Sequence, residues 1–334
     1  METMKSYNIP IFVPHYGCPH QCIFCNQRTI TGCDKPVSGA YAKEIVESYL
    51  KTLPREHARI EAAFFGGSFT AIDPRLRREL LLAVQPYLER GEIHGIRLST
   101  RPDYIDRGIL EELMQFGVTT VELGVQSMDD RVLSAAGRGH SASDVRNAVS
   151  QIRQYPFSLG LQMMTGLPED SPEGSIKTAE QLIALNPDFV RIYPTLVFRG
   201  TRLFDLWKSG AYQPQTTDEA VSLCAALYER FFAAGIPVIR IGLPENKEAA
   251  SGPQHASFGE LVESECYKNR FFRMLSAHPD KKPHFLVAKR ELSKAIGNKR
   301  RNLIALEQKT GQKAQIKESE KLSFGEIKFM EKEE

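Results

Sequence analysis

Seven short apolar or β-branched runs recur along the chain: "YNIPIFVPH", "RIEAAFFGG", "GIRLSTRPD", "TVELGVQS", "SLGLQMMTGLP", "FVRIYPTLVF" and "IPVIRIGLP". They end in glycine or polar residues and alternate with stretches of helical spacing. Near-continuous apolar strands alternating with helices predict a parallel sheet covered by helices, because a parallel strand needs a crossover and both its faces end up buried. Helices are expected over 40–52, 74–90, 107–116, 143–155, 172–185 and 218–234. Asp73 before Pro74 and Ser171 before Pro172 each set a capping side chain ahead of a proline at the first helical position. The spacing in "LRRELLLAVQPYL" gives one buried helix face. Six or seven such units make a full or partial α/β barrel more economical than a flat sheet, and either architecture puts chemistry at the carboxyl ends of the strands.

The rhythm stops after Pro244. "ENKEAASGPQHASFG" reads as a loop or edge segment, and "HFLVAKRELSKAIGNKRRNLIALEQKTGQKAQIKES" reads as strand, two helices joined by a basic turn, and strand. The last dozen residues are expected to fray. A chain of 334 residues with 42% hydrophobic content holds one large domain and a small one, divided here as 1–265 and 266–334. Charge follows the same division. Residues 281–334 carry 14 Lys+Arg against 8 Asp+Glu, leaving 29 against 33 for the rest. No run approaches the roughly 18 apolar residues of a membrane span, and "IPIFVP" is too short for a signal-peptide core. The expectation is a soluble cytoplasmic protein without a membrane partner.

Six cysteines are too few for a disulfide framework, and Cys18, Cys22 and Cys25 lie too close together to pair with one another. Metal chemistry is the better reading. Their position just after the first strand is where a barrel places its reactive loops. Three thiolates from one loop hold three corners of an iron-sulfur cube and leave one iron open. On the residues alone, two other readings stand: zinc completed by Cys33, Cys266 or a histidine, and plain buried cysteines.

Cys18, Cys22, Phe24 and Cys25 match Cys-x3-Cys-x-aromatic-Cys, which resembles the signature of the radical S-adenosylmethionine superfamily. The resemblance implies a [4Fe–4S] cluster whose open iron is chelated by S-adenosylmethionine. One electron then cleaves that cofactor to methionine and a 5′-deoxyadenosyl radical. It also implies that Gly66, Gly67 and Ser68 in "FFGGSFT" form the glycine motif receiving the methionine amino group. "VELGVQSMDDRVLSAAGRGH" is similar to a segment shared by the coproporphyrinogen dehydrogenase and Elongator catalytic-subunit branches, and carries over Gln126 and Arg138 as contacts to the ribose and carboxylate. "QMMTGLPED" adds Gln162 at a ribose-contacting position and Gly166 at the strand-end turn. Met163 and Met164 read as core packing.

"STRPDYIDRGIL" and "RIYPTLVFRGTRLFDLWKSGAY" resemble the Elongator catalytic subunit more than the porphyrin branch, and the likeness runs from roughly Pro14 to Leu261. That family modifies the wobble uridine of transfer RNA with an acetyl group from a separate acetyltransferase domain, for which residues up to Glu334 leave no room. A separate acyl-donor protein is one expected partner, and an electron donor such as flavodoxin or ferredoxin is another. Ser99 stands where relatives have a glutamate before "TRPD".

Residues 281–301 contain eight Lys+Arg and one acidic residue, Glu291. "ELSKAIGNKRRNLIALEQKTGQKAQIKE" resembles the core of a KH module, whose Gly-x-x-Gly turn clamps a sugar-phosphate backbone. Here the turn is Gly297-Asn298-Lys299-Arg300, so the second glycine is arginine. Lys299, Arg300 and Arg301 would then hold phosphate by charge. The functional expectation is a radical enzyme acting on RNA, with tRNA the substrate the resemblance implies. A radical enzyme of the porphyrin type and a non-catalytic zinc- and RNA-binding protein are the alternatives.

Overall fold

Apolar runs become strands and capped stretches become helices. The computed structural model describes residues 5–14, 16–18, 22–27, 36–54, 56–243 and 245–330. In chain order the first half holds β1 (Lys5–Phe12), α1 (Gly39–Leu50), β2 (Ala58–Phe65), α2 (Pro74–Glu89), β3 (Gly95–Thr100), α3 (Arg107–Gln115), β4 (Val118–Gln126), α4 (Asp130–Ala135) and α5 (Ala142–Ile152). Then come β5 (Ser158–Thr165), α6 (Pro172–Ala184), β6 (Phe189–Pro194), β7 (Val197–Phe198), α7 (Arg202–Lys208), α8 (Thr217–Ala233), β8 (Val238–Ile241), β9 (Ala249–Ser251) and α9 (Phe258–Ala277). The chain closes with β10 (His284–Ala288), α10 (Leu292–Ile296), α11 (Arg301–Thr310), β11 (Gln315–Ser319) and β12 (Ile327–Phe329). The proline-led starts are capped as expected: Asp73 accepts from the Arg75 and Leu76 amides, and Ser171 from the Gly174 amide.

Seven parallel strands form one sheet in the order β1-β2-β3-β4-β5-β6-β8. Because strand order follows chain order, each right-handed crossover lays its helix on the same face. The sheet curls away from that face into a half-barrel, with β1 and β8 as open edges. Of the two barrel forms expected, the partial one is formed. Ile9, Ile11, Ile60, Phe64, Ile96, Leu98, Val121 and Leu123 fill the helix-covered face. Each stabilises by about 1.5–3 kcal/mol on burial. The strands alternate, so their other residues line the lumen.

α9 belongs to two cores. Phe258, Leu261, Val262 and Cys266 pack into the large one. Tyr267, Phe271 and Leu275 pack into a smaller one with Phe285, Val287, Leu303, Leu306 and Ile316. The small unit's sheet runs β11-β10-β12, with β10 parallel to β11 and antiparallel to β12.

Two expectations are corrected. "FVRIYPTLVF" is not one strand. After Pro194 the Thr195 amide and hydroxyl turn back to the Thr165 carbonyl, at 2.9 and 2.7 Å, and β7 pairs with β9. The last dozen residues also contain β12, because Phe329 stacks on Phe285 at 5.1 Å and pairs with it in the ladder.

Candidate active site

The thiol loop leaves the carboxyl end of β1, and the glycine loop leaves the carboxyl end of β2. The Val13 amide donates to the Phe65 carbonyl at 2.7 Å and the Ser68 amide to the Tyr16 carbonyl at 3.0 Å, zipping the two loops together. Gly67 is required for that approach: a Cβ there would sit 2.4 Å from the Val13 oxygen and 2.5 Å from the Tyr16 oxygen. No side chain fits such a space.

Cys18, Cys22, Cys25, Gly66, Gly67, Ser68, Gln126, Arg138 and Gln162 all line one lumenal cavity of about 440 Å³. Residues separated by more than a hundred positions in sequence therefore meet. The Ser68 hydroxyl lies 3.0 Å from that of Thr100 and accepts from the Arg101 amide, which braces the glycine loop against β3. Arg138 donates from Nη1 to Cys22 Sγ at 3.2 Å and from Nη2 to the Gly124 carbonyl at 2.6 Å. Among the described residues its buried Nε has no hydrogen-bond partner, an orphan donor that a bound anionic group would satisfy. Gln162 Nε2 donates to Gln126 Oε1 at 3.2 Å. Gln126 is held at φ 68°, where the β4–β5 register shifts. A non-glycine residue in the left-handed region at a strand end is a costly conformation that clusters at functional sites.

The donor set is soft: three thiols, with Gln27 Nε2 donating to Cys25 Sγ at 3.5 Å. Burial pushes the Cys25 thiol up to about 12, and the neighbouring Cys22 adds to this. Burial likewise raises Cys18. Thiols this reluctant to ionise become thiolates when a metal supplies the positive charge. Among the described residues, no three His, Cys, Asp or Glu side chains converge to hold a single ion. A cube, whose corner irons are separate atoms, does not ask for that convergence. The walls add Phe12, Phe65, Met164, Leu196 and Phe198, and an apolar pocket with a few convergent polar groups suits an adenosyl amino acid.

Beneath the thiols runs a set of charges that the motifs did not mark. Arg97 donates to both Glu61 Oε2 (2.8 and 3.0 Å) and Glu122 Oε1 (2.8 Å). Arg191 donates to Glu122 from Nε at 2.6 Å and from Nη2 at 3.1 Å. Burial raises Glu61, but the Arg97 and Arg59 guanidiniums outweigh it and leave its carboxyl below the ordinary range. Between β4 and β6 lies β5, so Glu122 and Arg191 meet across Gly160. A Cβ on Gly160 would fall 2.3 Å from the Phe189 ring and 3.0 Å from Glu122 Cγ. One signal was present in the sequence: β3, β4 and β6 each carry a single charge, and β2 carries Arg59 and Glu61, all at lumen-facing positions. Ser99 lines the same cavity, as does Arg240.

Lys299 and Arg300 lie elsewhere, exposed and in left-handed backbone at φ 51° and 61°. They edge a second hollow of about 910 Å³ with Arg290, Lys294 and His255. His255 therefore faces this hollow and not the lumen. Arg301 differs from its neighbours, lying 3.7 Å from Glu265 and 3.8 Å from Asp218. Cys224 and Cys266 are core residues, Trp207 packs beside the thiol loop, and Cys33 lies outside the described residues.

Two family models match most of the chain. The radical SAM superfamily model matches residues 12–182, and its C-terminal domain model matches residues 187–268. A tRNA uridine(34) acetyltransferase of Methanocaldococcus infernus is 35% identical over 247 residues, covering 62% of this chain and 46% of the relative. Elongator complex protein 3 of Bos taurus is 31% identical over 298 residues, covering 75% and 53%. The chain spans about half the length of such relatives or less. In fold it is similar to the archaeal Methanocaldococcus infernus Elp3 with an N-terminal deletion, at TM-score 0.60 and 21% identity over 82% of this chain and 63% of that one. It is also similar to coproporphyrinogen III oxidase of Escherichia coli, at TM-score 0.51 and 16% identity over 70% and 53%.

Proposed function

Since the chain belongs to the radical SAM superfamily, we propose that it is an RNA-modifying enzyme that holds a [4Fe–4S] cluster on Cys18, Cys22 and Cys25. In this reading S-adenosylmethionine is held by Gly66, Gly67, Ser68, Gln126, Arg138 and Gln162. The carrying observation is that all nine residues line one lumenal cavity. Bound there, cluster and cofactor supply a carbon-centred radical; the protein supplies position and a dry wall. The glycine loop offers main-chain groups, with the Ser68 hydroxyl bracing it against Thr100. Arg138 offers its free Nε to a carboxylate while its Nη2 stays anchored on Gly124. Gln126 and Gln162, already bonded to each other, present a hydrogen-bonding edge to a ribose.

Substrate assignment rests on the relatives' names and on the second hollow, whose Lys299 and Arg300 stand where a KH turn would hold a sugar-phosphate backbone. tRNA is the RNA that the named relatives favour. The test is anaerobic purification with iron, sulfide and zinc analysis, followed by an assay for 5′-deoxyadenosine and mass spectrometry of tRNA nucleosides from a deletion strain. Four irons, matching sulfide and one missing nucleoside are expected. One zinc without sulfide would overturn the radical reading. An unchanged nucleoside profile in every RNA class would overturn the substrate.

A further inference from the structure

The proposed chemistry consumes one electron per turnover, and α7 lies against the loop that would hold the cluster. The Leu203 amide donates to the Ile23 carbonyl at 2.8 Å, and Asn26 Nδ2 donates to the Arg199 carbonyl at 3.4 Å. Ile23 sits between Cys22 and Cys25. Ile23 packs with Val197, Leu203 and Tyr212, while Phe24, Phe204 and Trp207 close over them. Phe24 also lines the lumen, so one layer of packed side chains separates the α7 surface from the cavity.

That surface is cationic. Arg199, Arg202 and Lys208 are exposed, and among the described residues none of them is ion-paired. The Arg199 guanidinium lies 5.8 Å from the Phe204 ring; Lys208 Nζ lies 5.9 Å from that ring and 5.6 Å from Trp207. Asp205 is the only acidic residue on α7. Cations cover ring faces that nucleobases would need for stacking, so the patch is a poor RNA platform. Unpaired positive charge around a small apolar centre suits a brief encounter with a negatively charged protein, of the low-area kind typical of electron transfer.

We propose that Arg199, Arg202 and Lys208, set around Phe204 and Trp207 on the outside of the thiol loop, form the docking surface for an acidic one-electron carrier protein. This rests on the radical reading above. In the step itself the carrier loses one electron and the oxidised cluster gains one; no bond is made or broken and no proton moves.

The experiment uses the reconstituted, cluster-loaded full chain under anaerobic conditions. Cluster bleaching is followed after mixing with reduced flavodoxin, with reduced ferredoxin, and with dithionite, which needs no docking surface. The Arg199→Glu, Arg202→Glu, Lys208→Glu variant should be reduced at least about tenfold more slowly by the carriers at low salt. The gap should narrow as ionic strength rises. Dithionite reduction and iron content should not change. Carrier affinity, measured by calorimetry with the oxidised carrier, should fall in parallel. Arg202→Gln gives the same test with a smaller change should the triple variant lose iron. Equal carrier rates in variant and parent, or a loss confined to tRNA affinity, would overturn the docking surface. A parent chain that assembles no cluster would overturn the radical reading instead.

Discussion

The two hollows of this protein are built on opposite principles. In the lumen the charges beneath the thiols are committed to one another: Glu122 is gripped by Arg97 and Arg191, and Arg138 is held by Cys22 and Gly124. Around the second hollow Lys299 and Arg300 stand exposed. Committed buried charges fix geometry, since moving one leaves its partner uncompensated in a low-dielectric interior. Exposed charges give up little when they exchange water for a phosphate and are screened by salt. The lumen is built for precision of placement, the hollow for reversible contact.

Substitutions in the two places should therefore differ in kind. The largest effect is expected at Cys22→Ser, which should abolish iron retention and 5′-deoxyadenosine formation while leaving RNA affinity intact; retained iron at the parent level would undo the ligand assignment. Next is Glu122→Ala, which leaves Arg191 without its carboxylate and Arg97 with Glu61 alone, and should cost about 3–5 kcal/mol in chemical denaturation. A cost below about 1 kcal/mol would mean that the charge set is not structural.

His140 sharpens the same contrast through pH. Burial and then the Arg138 charge lower its folded pKa to about 4, against about 6.5 for an unfolded histidine. Between these values the unfolded state binds the extra proton. Stability is thus full above about 6.5 and falls as pH drops toward 4, by about 3 kcal/mol in all. His140→Gln should flatten this part of the profile; an unaltered slope would show that other groups cause it. Smallest in stability is Lys299→Ala with Arg300→Ala, expected to stay within about 0.5 kcal/mol of the parent. The same pair should make the dependence of log affinity for tRNA on log salt shallower by about 1.5–2. Arg301→Ala, in contrast, should lower stability, because it leaves the buried Glu265 carboxylate with less positive charge nearby.

What was legible follows the range over which each feature is specified. Parallel strands announce themselves as apolar runs, and Asp73-Pro74 and Ser171-Pro172 announce helix starts, because strand burial and capping act over a few residues. The thiol triad is likewise local. The lumenal charges are not: Arg97 finds Glu122 25 positions away, and Arg191 finds it 69 positions away, so no window of sequence contains the pair. β12 was misread for the same reason, its partner Phe285 lying far upstream. α7 escaped notice because seven residues are too few for periodicity to speak.

α9 carries one last consequence. Twenty residues, about 30 Å of helix, contribute side chains to both hydrophobic cores, so neither core can melt without exposing part of the other's packing. Calorimetry should accordingly record a single heat-absorption peak for the whole chain, with the two units losing structure at one temperature.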